Sequence, residues 1–198
     1  MHLTDRRRGA FFAFLCLALL GVMPIIAVSR PSGSDGLVFA LGLTLWQLIF
    51  AMPLTLIEAR RGAVPGLRLS PGLAGISLLT GALFGLSTFL YVAVADGAGP
   101  VTMAITLQAY PFIAMGLEAL FEGRRRSLVE LGLALLMALA LVGLITGGSF
   151  RREAMSPWAV AGLSVPLIWA VAHMMLRRVL QRLPVTPNQV TVSRLAIS

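Results

Sequence analysis

The chain has 198 residues, of which 58% are hydrophobic and only 12% are charged. A soluble domain carries about 25% charged residues, so this composition excludes a soluble enzyme, a disordered chain and a coiled coil. Sixteen arginines against eight acidic residues give a formal net charge of +8. The arginines lie in short clusters between long uncharged runs, which argues against a nucleic-acid partner. The sequence is typical of an integral membrane protein whose partner is the lipid bilayer.

Six uncharged runs are long enough to cross a membrane, because about 20 helical residues span a hydrocarbon core of about 30 Å. In chain order they are 9–29, 36–57, 69–95, 97–117, 131–150 and 154–176. Lipid forces each run to satisfy its own backbone hydrogen bonds, which predicts helices and an all-α polytopic fold. A seventh run begins near Thr186 and reaches Ser198 after about half a bilayer. We therefore expect a fragment of a longer protein or a disrupted gene product.

The arginine clusters predict the orientation of the chain. Twelve arginines fall beside the start of the first span and the ends of the second, fourth and sixth, against three on the other side. The positive-inside rule therefore predicts a multi-pass protein of the cell (inner) membrane whose amino terminus lies in the cytoplasm.

The arginine cluster 6–8 ahead of the run 9–29 also resembles the start of a cleavable signal peptide. That run exceeds a signal core of about 7–15 residues, so we expect it to stay.

The chain contains a weak internal repeat. A shift of 147 residues places Leu20 on Leu167, Arg30 on Arg177 and Leu48 on Leu195. If the unit has five spans, its second copy enters the membrane upside down, because five is odd. This predicts a first five-helix repeat over 1–150 and the start of an inverted one over 151–198. Inverted repeats are typical of secondary transporters, with the substrate site near the midplane.

Apolar motifs lie at 91–95, 107–112, 119–125 and 132–143, and shorter ones at 168–170 and 176–178. The first four resemble an EamA-type unit of the drug/metabolite transporter superfamily, and the last two resemble the opening of its second copy. The resemblance implies ten helices in two inverted five-helix halves, with both termini cytoplasmic; this chain corresponds to six helices and part of a seventh, an amino-terminal fragment. It also implies export or exchange of small metabolites. The family usually has Gly-Glu-Arg or Gly-Glu-Lys after the fourth helix, where this chain has Glu122-Gly123-Arg124.

The candidate site residues are polar and aromatic side chains predicted at membrane depth, since apolar side chains do not bind a polar solute. They are Trp46, Gln47, Tyr91, Gln108, Tyr110, Trp169 and Arg194. Gln47 and Gln108 could equally join helices through hydrogen bonds worth about 0.6 kcal/mol each. Tyr91 could equally belong to an interfacial aromatic belt. A central arginine costs about 2.5–3.5 kcal/mol, so Arg194 should face an aqueous cavity or an acid unless it snorkels to the interface.

Other features carry weaker expectations. His173 could exchange a proton near neutral pH, although a histidine without a carboxylate neighbour is more often a packing residue. Glu118 is expected to be an interfacial anchor. The small-xxx-small patterns at 81–85 and 143–147 predict close packing of helices. Four prolines invite kinks in their spans; they are Pro24, Pro53, Pro111 and Pro166.

The sequence offers little for catalysis or cofactors. His2, His173 and Cys16 are isolated, so we predict no metal site, and no phosphate-binding loop or activated serine is present. We therefore predict no enzyme, no catalytic residues and no cofactor. The predicted function is a secondary transporter of small metabolites, amino acids or drugs, working by alternating access. The alternative is a non-transporting membrane scaffold or one half of a two-chain assembly, either a homodimer or a complex with a missing second half.

Overall fold

The computed structural model describes residues 3–30, 34–61, 71–123, 127–151, 156–182 and 185–198. Over these residues the backbone forms nine α-helices and no strand, so the all-α prediction is confirmed. The helices are α1 (Leu3–Val28), α2 (Gly36–Arg60), α3 (Pro71–Ala98), α4 (Pro100–Leu107), α5 (Tyr110–Glu122), α6 (Leu128–Ile145), α7 (Pro157–Gly162), α8 (Ser164–Arg182) and α9 (Pro187–Leu195).

Five segments of the described chain are long and apolar enough to cross a membrane. They are Gly36–Arg60, Ala74–Ala98, Pro100–Glu122, Leu128–Ile145 and Pro157–Gln181. They overlap the second to sixth predicted spans, which confirms a polytopic membrane protein. The predicted span 9–29 lies within α1 except for its last residue; several α1 side chains fall outside the described residues, so this span stays a prediction.

Two of the predicted spans are interrupted, each four residues before a proline. Pro111 has no N–H to donate to the carbonyl of Leu107, and the chain passes from α4 to α5 at that point. Pro166 likewise cannot donate to Gly162, where α7 ends. The two interruptions touch, because a Cβ added to Gly162 would lie 2.9 Å from Oγ1 of Thr106. By contrast, α2 runs unbroken through Pro53.

Helix α3 lies at the centre of the bundle and packs against α1, α2, α4, α7, α8 and α9. Its buried residues contribute to two core clusters. One contains Ala27, Tyr91, Val92, Val94 and Met103 among others, and the second contains Phe84, Ala172, Leu176, Val179 and Val190. Trp169 packs against both clusters, so the two cores meet at this side chain.

Ion pairs mark the two ends of the bundle, which we call the Arg30 end and the Arg177 end. At the first, the Arg30 guanidinium forms a bidentate pair with Asp96, with Nη1 2.7 Å from Oδ1. The hydrogen bond to Asp96, together with its negative charge, raises the pKa of Arg30. At the second, Arg177 lies 3.1 Å from Glu118 and 3.7 Å from Glu122. Helices α1 and α3 therefore finish at the Arg30 end, and α5 and α8 finish at the Arg177 end.

The two small-xxx-small patterns differ in role. A Cβ on Gly81 would lie 2.7 Å from the backbone oxygen of Arg194, and one on Gly85 would lie 2.9 Å from that of Ser198. This first pattern therefore lets the α9 segment lie directly against α3. Gly147 instead lies in the turn after α6 and has φ +59°. Gly143, within α6, faces the ring of Phe150, which belongs to that turn. Within the described residues the second pattern contacts only that turn, so its role in close helix packing stays a prediction.

Candidate functional site

His173 of α8 and Tyr110 of α5 form a polar contact between two apolar helices. The Tyr110 hydroxyl lies 3.3 Å from Nδ1 of His173, and the two rings meet edge to face with centroids 5.7 Å apart. Tyr110 is the first residue of α5, so the interruption before Pro111 sets its position. The contact joins the two helices within the predicted membrane depth.

Phe84 and Arg194 extend this contact towards α3 and α9. The rings of Phe84 and His173 meet edge to face at 5.3 Å, and the Arg194 guanidinium lies 3.9 Å from the centroid of Phe84. We call Tyr110, His173, Phe84 and Arg194 the aromatic row. It crosses from α5 through α8 and α3 to α9, so four helices contribute one side chain each.

Trp169 lies one helical turn before His173 and fixes α8 against α3. Its indole Nε1 donates to the hydroxyl of Ser87 at 2.9 Å, and that hydroxyl donates to the Phe84 carbonyl at 2.8 Å. Ser87 is fully buried. An indole N–H within an apolar bundle needs such an acceptor. The bond therefore sets the register of α8 beside the aromatic row.

Arg194 carries a charge that the neighbouring protein does not neutralise. Its side chain is half-buried and lies over the Phe84 ring, and within the described part of the chain His173 is near enough to interact with its charge. An arginine at membrane depth costs about 2.5–3.5 kcal/mol, whereas a cation–π contact returns about 0.5–2 kcal/mol. The expected acid is absent from the described residues, since the ion pairs found there involve Arg30 and Arg177.

Two grooves flank His173. The larger, of about 320 Å³, lies between α8 and α9 and is bordered by His173, Leu176, Val190 and Thr191. The smaller, of about 110 Å³, lies between α5 and α8 and is bordered by Tyr110, His173 and Glu118. Arg177 borders both grooves. His173 and Arg177 therefore separate two spaces that open beside the aromatic row.

The structure brings together three of the seven predicted site residues, namely Tyr110, Trp169 and Arg194. Trp46 and Gln47 lie on the exposed face of α2, where Trp46 stacks on Phe50 at 5.8 Å. Gln108 is exposed at the end of α4. Neither glutamine side chain bonds to another helix within the described residues, so the interhelical alternative gains no support. A role of these three residues in substrate binding stays a prediction.

Tyr91 is buried instead of lying at an interface. It is 4% exposed within the first core cluster. Its hydroxyl has no hydrogen-bond partner in the described structure. The alternative of an aromatic belt at the membrane surface does not fit this position. Tyr91 also lies apart from the two grooves beside His173.

Glu58, which no sequence motif marks, joins α2 to the start of α9. Its carboxylate accepts from Oγ1 of Thr186 at 2.6 Å and from Nδ2 of Asn188 at 2.7 Å. Thr186 is also the N-cap of α9 and accepts from the Gln189 N–H. The sequence Thr-Pro-Asn is a helix-start signal. Nothing in it identifies an acceptor about 130 residues earlier in the chain.

Glu118 of α5 pairs with Arg177 of α8, so the residue expected to be an interfacial anchor also joins two helices.

Comparison of the whole chain with models of protein families, with curated proteins and with solved structures finds no match. The resemblance to EamA-type transporters therefore rests on the sequence motifs alone.

Proposed function

We propose that this chain forms part of an EamA-type secondary transporter, which moves small metabolites, amino acids or drugs across the cell (inner) membrane. The observation that carries the proposal is the aromatic row: a half-buried arginine and a histidine–tyrosine pair contributed by four neighbouring helices. Polar groups at membrane depth are expensive and mark solute pathways in transporters. The arginine-rich Arg177 end would face the cytoplasm, as the positive-inside rule requires.

Polar ties at both ends of the bundle support alternating access. Arg30 and Asp96 join α1 to α3 at one end, while Glu58 joins α2 to α9 at the other. A carrier of this type opens one side while the other stays shut. In the proposed cycle the two sets of ties break in turn, and the aromatic row lies between them.

The helix directions support an inverted repeat over 1–150 and 151–198. Helix α1 runs towards the Arg30 end, where Ala27 packs near Val92, and α8 runs from Val165 to Arg177 at the opposite end. The first spans of the two proposed copies thus point in opposite directions. Discontinuous helices, here α4–α5 and α7–α8, are a further property of transporters built from such repeats.

Solute flux in proteoliposomes tests the proposal. Liposomes holding the purified chain would be loaded with a mixture of the twenty ¹⁴C-labelled amino acids, and in parallel with ethidium as a cationic drug. We expect efflux of at least one probe to exceed that from protein-free liposomes. Arg194→Gln and His173→Gln should each lower the initial rate by about five-fold or more, as loss of one polar contact implies.

Arg151→Gln is the matched control, because Arg151 is exposed in the turn after α6. Its rate should equal that of the unchanged protein. Efflux equal to that of empty liposomes for both probes would contradict the proposal and favour the scaffold alternative.

A further inference from the structure

We infer that Arg194 binds the carboxylate of a monoanionic solute whose apolar body lies in the groove between α8 and α9. The inference rests on the proposed function in one respect: it identifies this anion with the transported solute. Binding itself is a separate property and is tested separately.

The stacking geometry leaves the guanidinium able to bind an anion. Its carbon lies 3.9 Å from the centroid of the Phe84 ring, so one face of the planar group is covered. The five N–H donors point outwards in the guanidinium plane, away from that face. No carboxylate of the described residues pairs with them. A carboxylate can accept two of these N–H groups in parallel, which is the strongest arrangement for this pair.

The charge balance selects a monoanion. Arg177 is the cation that borders the groove, and it is already paired with Glu118 and Glu122. Within the described residues, Arg194 therefore offers one uncompensated positive charge. A carboxylate matches it, whereas a phosphate carries up to two negative charges and would leave one unmatched.

The groove provides the space for an apolar body. It encloses about 320 Å³ and is bordered by Leu176, Leu180 and Val190. That volume lies within the range of about 300–1,000 Å³ of small-molecule sites. Val190 and Thr191 precede Arg194 by four and three residues on α9, so they share one helix face with it. Arg194 does not itself border the groove, but His173 does, and the His173 ring meets the Phe84 ring on which the guanidinium lies.

Direct binding of ¹⁴C-benzoate to the purified full chain in detergent tests the inference. Benzoate joins one carboxylate to an apolar ring, and benzamide has the same shape without the charge. We expect saturable binding that unlabelled benzoate displaces and benzamide does not. Phenyl phosphate should compete about ten-fold less well. Arg194→Gln should weaken binding by about ten-fold or more, because it removes a charge-assisted pair, and Arg194→Lys by less.

The exposed Arg61 supplies the control variant, Arg61→Gln, which should bind as the unchanged protein does. Should Arg194→Gln fail to fold, as judged by circular dichroism, the competition series on the unchanged protein still decides. Equal competition by benzamide and benzoate would overturn the inference, as would unaltered binding to folded Arg194→Gln. In nanodiscs, loss of benzoate binding in phosphatidylglycerol but not in phosphatidylcholine would identify the anion as a lipid headgroup, which also overturns it.

The two proposals fail in different ways. Benzoate binding without flux of any probe would contradict transport and leave the anion site intact. Ethidium efflux without benzoate binding would contradict the anion site and leave transport intact.

Discussion

At the scale of single residues, the Ser87 hydroxyl connects two helices with one oxygen. It donates within α3 to Phe84 and accepts from the Trp169 indole of α8. Thr88, the next residue, donates to the same Phe84 carbonyl at 2.8 Å but receives nothing from α8. Substituting each of these two neighbouring hydroxyls therefore compares the loss of a hydrogen bond between helices with the loss of one within a helix.

Ser87→Ala should lower the free energy of unfolding by about 0.6 kcal/mol and by no more than about 1.7 kcal/mol, the range measured for interhelical bonds in membranes. Thr88→Ala should have a smaller effect, because only a bond within α3 is lost. Unfolding in mixed micelles with increasing sodium dodecyl sulfate, followed by circular dichroism, measures both. Equal losses for the two variants would show that the Trp169 bond contributes nothing.

Glu58 carries a second prediction at this scale. Glu58→Ala should lower the free energy of unfolding by about 1.5 kcal/mol, the low end for hydrogen bonds to a charged group, since the side chain is only half-buried. Glu58→Gln should cost less, because an amide oxygen still accepts. In a double-mutant cycle with Asn188→Ala, the two losses should not add, since they remove the same bond.

Glu122→Ala is the control for this cycle. The Glu122 carboxylate lies 3.7 Å from Arg177, and a surface ion pair of this kind contributes less than about 1 kcal/mol to the free energy of unfolding. Strict additivity of Glu58→Ala and Asn188→Ala would mean that Glu58 does not hold α9.

Sequence alone located Arg194 but not its surroundings. Its charge within a predicted seventh membrane run was enough to predict an unusual side chain at depth. The partner, Phe84, is an ordinary apolar residue about 110 positions earlier, and no local pattern marks it. The same reason hid Glu58, whose partners follow it by about 130 residues. Local chemistry was predictable here, whereas pairing across the bundle was not.

At the scale of helices, Gly81 sets the approach of α9 to α3. Gly81→Val should separate these helices, because its Cβ would lie 2.7 Å from the Arg194 backbone oxygen. We expect a loss of about 1–3 kcal/mol, as for overpacked cores. Gly75→Ala in the same helix is the control: a Cβ there meets no atom within 4 Å, so it should be neutral or slightly stabilising.

A disulfide provides the measurement. The hydroxyls of Ser77 and Ser193 lie 3.0 Å apart across these helices. Cysteines at both positions, in a Cys16→Ser background, should cross-link readily in the unchanged and Gly75→Ala proteins and slowly in Gly81→Val. Rapid cross-linking in all three would refute the role of Gly81.

Helix boundaries were partly predictable. Charged residues and turns delimited the runs that became the five apolar segments. Proline was the weaker signal, because a missing N–H breaks a helix only where the surrounding packing accommodates the bend. The interruptions before Pro111 and Pro166 touch each other through Gly162 and Thr106, whereas α2 continues through Pro53.

At the scale of the whole molecule, the arginine distribution predicts the orientation in the membrane. Arg61 lies at the end of α2, at the Arg177 end, and Arg151 follows α6; both are exposed. In a Cys16→Ser background, Arg151→Cys should react with a membrane-impermeant maleimide in intact cells. Arg61→Cys should react only after permeabilisation, because the positive-inside rule places it in the cytoplasm. Labelling of both in intact cells would contradict the topology.

The arrangement of the helices was beyond sequence analysis for a physical reason. In water, one face of a helix is polar and identifies the other as core. In lipid, both the core-facing and the outward-facing side chains are apolar, so this contrast disappears. Trp46, at the middle of α2, is an example: it is 61% exposed, and the apolar residues around it do not identify which face of α2 packs against the other helices.

Gly162 of one discontinuous span lies directly against Thr106 of the other, since a Cβ on Gly162 would come 2.9 Å from Oγ1 of Thr106. Because packed interiors leave little free space, we expect bending at one break to displace the other. We expect α5 and α8 to tilt together, so that the contact between Tyr110 and His173 is kept. A small rotation on one side of the bilayer would then tilt both helices at once.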